Sequence, residues 1–186
     1  MEVKMTKYKI NIDLINKVVP ATSTEQARYW LNGVYIHDVE GIRNYVATNG
    51  HILFKASEMF EGETLKEPLI LKINKPLKNK YIKNGEMTIV DKDTVVIKHH
   101  EKTVCDIIDS TFPEYQRLFD AHKEAKPIEE YVLFAPEYMA ELKKFMPENW
   151  TAIPLMMGNE SMGQWEYEDV EGVNYKALLM PIRIKR

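Results

Sequence analysis

The sequence has little cysteine, no long apolar run and no large excess of charge. Its single cysteine, Cys105, cannot form an internal disulfide, which is typical of proteins in a reducing compartment. The first residues lack an apolar stretch of signal-peptide length, and no apolar run approaches the roughly 20 residues of a membrane-spanning helix. The net charge of −3 excludes a polycation. These absences predict a cytoplasmic protein in which any nucleic-acid contact comes from a local basic patch.

The sequence also lacks the motifs of common catalytic and metal sites. It has no Walker-type phosphate loop, no GxGxxG, no HExxH and no CxxC. His51 has no acid at a spacing typical of catalysis, and the adjacent His99 and His100 would point to opposite faces of a strand. Cys105 lies inside a strand-like run, where a buried structural thiol is expected. The sequence therefore predicts no enzyme, cofactor or metal, and a His51 that is packed or hydrogen-bonded.

What the sequence does contain is a large number of strand signals. Apolar residues make up 45% of the chain, enough for a sizeable core. Segments 31–41 and 42–56 are rich in β-branched and aromatic residues, and segment 85–108 contains two such runs around a polar turn at 91–93. Three more strand-like runs lie between Thr151 and Arg186. The sequence therefore predicts a structure dominated by antiparallel strands.

Helix signals are fewer and shorter. The first helix follows Asn11, a plausible N-cap, and ends near Pro20. A second short, basic helix is predicted around Leu77. A third begins at Pro136 and places its apolar residues on one face, namely Met139, Leu142, Phe145 and Met146.

The order of these elements repeats three times along the chain. In each unit a short strand is followed by a short helix and about three strands, over Thr6–Met59, Leu65–Phe119 and Tyr131–Arg186. The polar segment 120–130 has the composition of a linker. We therefore predict a two-unit domain over 1–120, a linker over 121–130 and a single unit over 131–186.

Lysines are concentrated in the second unit, where six lie between Lys66 and Lys83 against one acid. Such a run is either a solvated face or a surface that contacts phosphates without reading bases. The sequence alone leaves both interpretations open. The lysines that would contact DNA under the second interpretation are Lys72, Lys75, Lys78, Lys80, Lys83, Lys143 and Lys144.

Four segments, taken together, resemble a known family. RYWLNGVYIHDVEG from Arg28, VATNGHILF from Val46, STFPEYQRLF from Ser110 and ALLMPIRI from Ala177 are similar, in the same order, to segments of the bacterial DNA polymerase III beta sliding clamp. The resemblance implies an α+β, DNA-clamp-like fold, in which short helices on one face of antiparallel sheets face DNA. Segment 1–120 resembles the middle domain of the clamp, and 131–186 resembles its last half-domain.

The resemblance also implies a hydrophobic groove that docks a short linear peptide of a polymerase or repair protein. His51 would then be a wall or rim of that groove, and the aliphatic and methionine side chains suit leucine and phenylalanine anchors. Some of these residues could instead be core, Leu31 and Leu53 above all. The implied groove residues are Leu31, Thr48, Gly50, His51, Ile52, Leu53, Pro113, Arg117, Leu118, Leu178, Leu179, Met180, Pro181, Ile182 and Arg183.

The chain departs from the family pattern in two residues and in length. Asn49 stands where the family usually has aspartate, and Ile52 where it has arginine. A clamp subunit has six units and a ring has twelve, whereas three are counted here. Four copies could therefore close a ring, or a dimer could pair the exposed edge of the unpartnered half-domain.

Two functions follow from the resemblance. The first is a sliding-clamp-like processivity factor in DNA replication, which contacts double-stranded DNA and docks partner proteins as a homo-oligomer. The second is a module that forms no ring, keeps the groove and competes with a full clamp for its partners.

Overall fold

The first unit forms a strand, a helix and three strands, as predicted. The computed structural model describes residues 6–74, 77, 83–123, 132–147, 156–157 and 162–182. The elements of the first unit are β1 (Lys7–Asn11), α1 (Ile12–Val18), β2 (Val34–Val39), β3 (Ile42–Thr48) and β4 (Ile52–Met59). Asn11 caps α1 as predicted, because its Oδ1 accepts a hydrogen bond from the Leu14 N–H at 3.2 Å. A single 3-10 turn containing Pro20 follows α1.

The second and third units are described in part. Their elements are β5 (Leu69–Lys72), β6 (Asn84–Ile89), β7 (Thr94–Lys98), β8 (Lys102–Ile107), α2 (Gln116–Lys123), α3 (Pro136–Phe145), β9 (Met156–Met157), β10 (Gly163–Glu168) and β11 (Asn174–Leu179). The short basic helix predicted around Leu77 lies almost wholly outside the described residues. α2 extends three residues into the predicted linker, most of which is also outside them. None of the described helices is long and apolar enough to cross a membrane.

No strand precedes α3 within 132–135, where the repeat predicted one. The backbone of Leu133 instead accepts a single hydrogen bond from the Ile182 N–H, at 2.7 Å. Among the described residues, this one bond joins the segment before α3 to the residues that follow β11, and no ladder of strand pairs forms there.

The described strands form one antiparallel sheet in the order β1-β6-β7-β8-β5-β2-β3-β4-β11-β10-β9. The first and third units meet where β4 pairs with β11, with Ile52 opposite Leu179 and Ser57 opposite Asn174. The last strand of the third unit is therefore paired on both sides, by β4 and by β10. The expectation that this half-domain exposes an unpaired edge is thus not met at β11.

The two faces of the sheet bury different clusters. Because side chains alternate along a strand, neighbouring residues of β4 and β11 belong to opposite faces. On the first face, α1 and α3 cover the main core, which here we call the helix-side core. Phe54 of β4 stacks on Phe145 of α3 with ring centroids 4.4 Å apart. The Lys17 Nζ of α1 reaches the Phe145 carbonyl at 3.4 Å. The two helices therefore lie together on one face, as predicted.

The opposite face carries a smaller apolar cluster, which we call the outer cluster. Chain segments outside the regular strands cover it in place of helices α1 and α3, and they contribute aromatic rings. Its buried members are Leu31, Val46, Leu53, Ile70, Phe112, Tyr115, Phe119, Met162 and Leu178.

Candidate peptide-binding groove and lysine surfaces

Three of the predicted groove residues form part of the outer cluster. Leu31, Leu53 and Leu178 are 2–4% exposed and pack in the same cluster, although they come from three separate segments. Leu53 and Leu178 are cross-strand partners at the β4–β11 junction. Leu31 and Leu53 are buried, in keeping with the alternative that they are core. They form the floor of the candidate site.

Two other predicted groove residues face the other way. Ile52 and Leu179 are also opposite each other across β4 and β11, but both are buried in the helix-side core. They neighbour Leu53 and Leu178 in sequence, so strand alternation places them on the far face of the sheet. Their side chains are therefore not available to a ligand on the outer face, which corrects their assignment to the groove.

A tight turn connects β3 to β4 beside the floor. Gly50 has φ +87°, a left-handed conformation that glycine adopts at low cost. The Asn49 Oδ1 accepts hydrogen bonds from the His51 and Ile52 N–H groups at 2.9 and 3.0 Å. The Thr48 hydroxyl donates to the Ile52 carbonyl at 2.7 Å and accepts from the Gly50 N–H at 3.1 Å. Asn49, one of the departures from the family pattern, thus helps to hold this turn.

His51 lies on the surface at the point where three elements meet. Its ring stacks on Tyr138 of α3, with centroids 5.4 Å apart and planes 12° from parallel. Its carbonyl accepts a hydrogen bond from the Met180 N–H at 2.8 Å. Among the described residues, no group of three acidic, histidine or cysteine side chains is arranged to hold a metal ion. These contacts support His51 as a rim residue.

Cys105 is buried, as predicted. Burial, followed by the charge of Asp106, raises the pKa of its thiol to about 11. The thiol is therefore protonated at neutral pH, in keeping with a structural role.

Exposed apolar side chains occur on the segments that carry the outer cluster. Leu118 on α2 is 42% exposed, Met180 after β11 is 36% exposed and Ile182 is 47% exposed. Pro113 and Arg117 are exposed and Pro181 is partly exposed, whereas Arg183 lies outside the described residues. Exposed apolar residues beside a buried apolar floor are typical of a surface that binds a partner.

Several aromatic residues outside the predicted set also form this face. Phe112, Tyr115 and Phe119 all belong to the outer cluster. Phe112 stacks on Tyr35 of β2 at 4.7 Å, with the planes 2° from parallel. Tyr115 and Phe119 are edge to face at 6.3 Å. A signal was available, because these aromatic residues recur at intervals of three and four along the segment.

A cavity of about 620 Å³ lies next to the outer cluster, and Pro113 lines it. Its walls include His37, Lys55 and Tyr115, and His37 Nε2 is 2.8 Å from the Tyr115 hydroxyl. Burial, and then the charge of Lys55, lowers the pKa of His37 to about 4. His37 is therefore neutral at neutral pH.

Gln164 of β10 is a polar residue on the outer face. It lies opposite Leu178 of the floor and one step from the buried Trp165, which belongs to the helix-side core. Residues directly opposite in an antiparallel pair share a face, so Gln164 lies beside the apolar floor. The residue is 3% exposed. Its Oε1 has no hydrogen-bond partner within the described part of the chain.

The predicted DNA-contacting lysines are described only in part. Lys143 and Lys144 are exposed on α3, and Lys144 pairs with Glu141 at 2.7 Å. Lys83 pairs with Glu171 at 2.6 Å, and this hydrogen bond raises the pKa of Lys83. Lys72 is exposed at the end of β5. The other three, which are Lys75, Lys78 and Lys80, lie outside the described residues.

The chain was compared with known proteins. No protein-family model matches it. It is 22% identical over 169 residues to the beta sliding clamp of Rickettsia bellii (strain RML369-C), a match that covers 83% of this chain and 44% of that protein. The chain thus spans about half the length of the relative. This match agrees with the resemblance that the four sequence segments indicated.

Solved structures support the same fold. The DNA polymerase III beta subunit of Thermotoga maritima matches with a TM-score of 0.67 and 17% identity, over 96% of this chain and 66% of that one. A sliding clamp from Bartonella birtlesii, solved with griselimycin bound, matches with a TM-score of 0.71 and 16% identity, over 99% and 68%. The predicted α+β, clamp-like fold is therefore confirmed.

Proposed function

We propose that this protein is a sliding-clamp-like processivity factor that docks partner proteins through the outer face of the β4–β11 junction. The observation that carries the proposal is the arrangement at this junction. Leu31, Leu53 and Leu178 form a buried floor. Leu118, next to the buried Phe119, and Met180, two residues after Leu178, expose apolar side chains on the segments that carry this cluster. The clamp-like fold and the match to a beta sliding clamp support the same function.

The chemistry of this surface suits a short extended peptide with apolar anchors. Leu118 lies on α2 and Met180 follows β11, so in this proposal an apolar anchor would contact two separate elements as well as the floor. Methionine adapts its shape to different side chains, which suits a site that accepts several partners. The partners would be DNA polymerases or repair proteins that carry a clamp-binding linear motif.

We assign DNA contact to the opposite, helix-bearing face of the sheet. Lys143 and Lys144 are exposed on α3, and the predicted basic segment around Leu77 would add Lys75, Lys78 and Lys80. Because the chain carries a net charge of −3, contact would depend on this local lysine surface. Lysines without interleaved aromatic residues would hold the phosphate backbone of double-stranded DNA without selecting its sequence.

Encirclement of DNA would require a homo-oligomer. A tetramer of three-unit chains would supply the twelve units of a ring, and a dimer is the other arrangement we consider. Light scattering on a sizing column across a dilution series measures the mass directly. A stable tetramer supports the ring, whereas a monomer contradicts it and favours a groove-bearing module that forms no ring.

Peptide titration tests the groove. We would measure the fluorescence anisotropy of a labelled clamp-binding peptide, with leucine and phenylalanine anchors, as the protein is added. Met180→Glu and Leu118→Glu each place a charge on the rim and should weaken binding at least about tenfold, the effect expected for an interface anchor. The matched control is Val170→Glu. Val170 is fully exposed on the turn before β11, at the far end of that strand from Met180.

Two outcomes would contradict the groove. One is that the wild-type protein has no measurable affinity for any clamp-binding peptide. The other is that Val170→Glu weakens binding as much as the two rim variants do. Since all three positions are exposed, the variants should fold, and circular dichroism spectra that superimpose on the wild-type spectrum check this.

The second candidate function is the module that competes with a full clamp for partners. It needs the same groove but neither a ring nor DNA contact. Peptide binding by a monomer whose DNA affinity does not depend on salt concentration would select this function over the first.

A further inference from the structure

Gln164 is a buried polar residue that the packing of the free protein does not explain. It is 3% exposed, it lies opposite Leu178 and its Oε1 accepts no hydrogen bond within the described part of the chain. Native proteins leave few buried polar atoms unsatisfied, and each such atom calls for a specific reason. An apolar side chain of similar size would fill the same space without this cost.

We infer that the Gln164 Oε1 accepts a hydrogen bond from an N–H group of the docked partner peptide. This inference rests on the proposed function, because it assigns a chemical requirement to the same groove. Gln164 lies next to the apolar floor, so the partner would have to present an N–H donor beside its apolar anchors. The acceptor left unmatched in the free protein is matched in the complex.

Such a site distinguishes between peptides by the energetic cost of leaving a buried acceptor without a hydrogen bond. A peptide that lacks the donor would fill the apolar floor but leave the buried Oε1 without a partner, and its affinity would fall. Apolar contacts alone distinguish poorly between peptides of similar size. Gln164 would thus be a specificity-determining residue, whereas the leucines of the floor supply most of the affinity.

The test combines a protein variant with modified peptides. Gln164→Met keeps the length of the side chain and removes the acceptor. Each backbone amide of the peptide is replaced in turn by an ester, which removes one N–H donor and changes the shape little. Each side-chain donor of the peptide is also removed in turn. Dissociation constants are measured by anisotropy for every peptide, with both wild-type protein and Gln164→Met.

We expect Gln164→Met to weaken binding of the parent peptide about three- to tenfold, the usual effect of one hydrogen bond. A single modified peptide should show a similar loss with the wild-type protein and no further loss with the variant. Whether that donor is in the backbone or in a side chain identifies its source. Gln164→Met should also melt no lower than the wild type, because the buried Oε1 that it removes accepts no hydrogen bond within the described part of the chain.

Several results would overturn the inference while the proposed function stands. The parent peptide binds wild type and Gln164→Met equally, or every donor deletion has the same effect in both proteins. A lower melting temperature of the variant would show that Gln164 serves the fold instead. If Gln164→Met does not fold, the modified peptides still decide, since with the wild-type protein one donor must stand out. Absence of any peptide binding overturns the proposed function itself.

Discussion

Leu53 and Phe54 are neighbours on β4, yet they serve opposite faces of the sheet. Phe54 is fully buried in the helix-side core against Phe145. Leu53 is buried in the outer cluster on the opposite face. The comparison indicates that alternate positions of one short strand contribute to two separate apolar clusters, one on each face of the sheet. The helix-side residues pack the first unit against the third, and we propose that the outer residues support a partner-binding surface.

The largest effect that we expect distinguishes a substitution on the helix-side face from one on the outer face. Phe54→Ala should lower the free energy of unfolding by about 3–5 kcal/mol, since it removes a fully buried ring and leaves a cavity. Urea denaturation measures this loss. The folded fraction should keep its peptide affinity, whereas Leu53→Ala should lower that affinity about tenfold. A larger loss of affinity in Phe54→Ala than in Leu53→Ala would contradict the division between the faces.

A second, smaller effect concerns the turn beside the groove. Gly50→Ala should cost about 1–2 kcal/mol of stability, because alanine disfavours φ +87°. A Cβ at this position would also lie 2.6 Å from the Arg28 Nη1, so the guanidinium must move. The control is Gly172→Ala, at φ +79° with nothing within 4 Å of the added Cβ.

The two glycine variants separate the effect of the Arg28 contact on peptide binding from the effect of backbone strain on stability. Both should lose comparable stability through strain, and Gly50→Ala alone should alter peptide affinity. Equal affinities in the two variants would mean that the geometry around Arg28 and the β3–β4 turn does not shape the groove.

Much of the fold could be predicted from local sequence signals. Asn11 and Pro20 mark the ends of α1, and Pro136 marks the start of α3, because caps and prolines act within one helical turn. The pairing of β4 with β11 could not be predicted in this way. It joins residues more than 100 positions apart, and nothing within either strand specifies the other as its partner.

The candidate site could be predicted only as a set of segments. The motif around His51 indicated a region, but a contiguous motif takes in both faces of a strand. Ile52 and Leu179 were therefore included although strand alternation buries them elsewhere. Gln164 could not be predicted, because what distinguishes it is a buried Oε1 that accepts no hydrogen bond within the described residues, and only the three-dimensional structure reveals this.

The third prediction concerns the pH dependence of the outer face. The pKa of His37 is lowered to about 4 in the folded protein, below its ordinary value near 6.5 in an unfolded chain. Between these values the unfolded state binds more protons, so stability falls as the pH is lowered from about 7 towards 4. His37→Gln should lose less stability over this interval than the wild type. Equal losses, measured by urea denaturation at pH 7 and pH 5, would contradict this.

The smallest effect on stability concerns the exposed lysines of α3, on the helix-bearing face of the sheet. Lys143→Gln with Lys144→Gln should change the free energy of unfolding by no more than about 0.5 kcal/mol, because both side chains are exposed. The same pair should lower the slope of log K for DNA binding against log salt concentration by about 1 for each lost phosphate contact. Titration of labelled duplex DNA at several salt concentrations measures that slope.

The matched control removes the same charge from the opposite side of the sheet. Lys92→Gln with Lys98→Gln changes two exposed lysines on and beside β7, away from α1 and α3. If DNA contacts the helix face, this pair should leave the salt slope unchanged. Equal reductions of the salt slope in both pairs would mean that DNA binding depends only on the net charge of the chain. The assignment of DNA contact to the helix face would then be wrong. A reduction confined to Lys143 and Lys144 would instead assign DNA and peptide to opposite faces of one sheet.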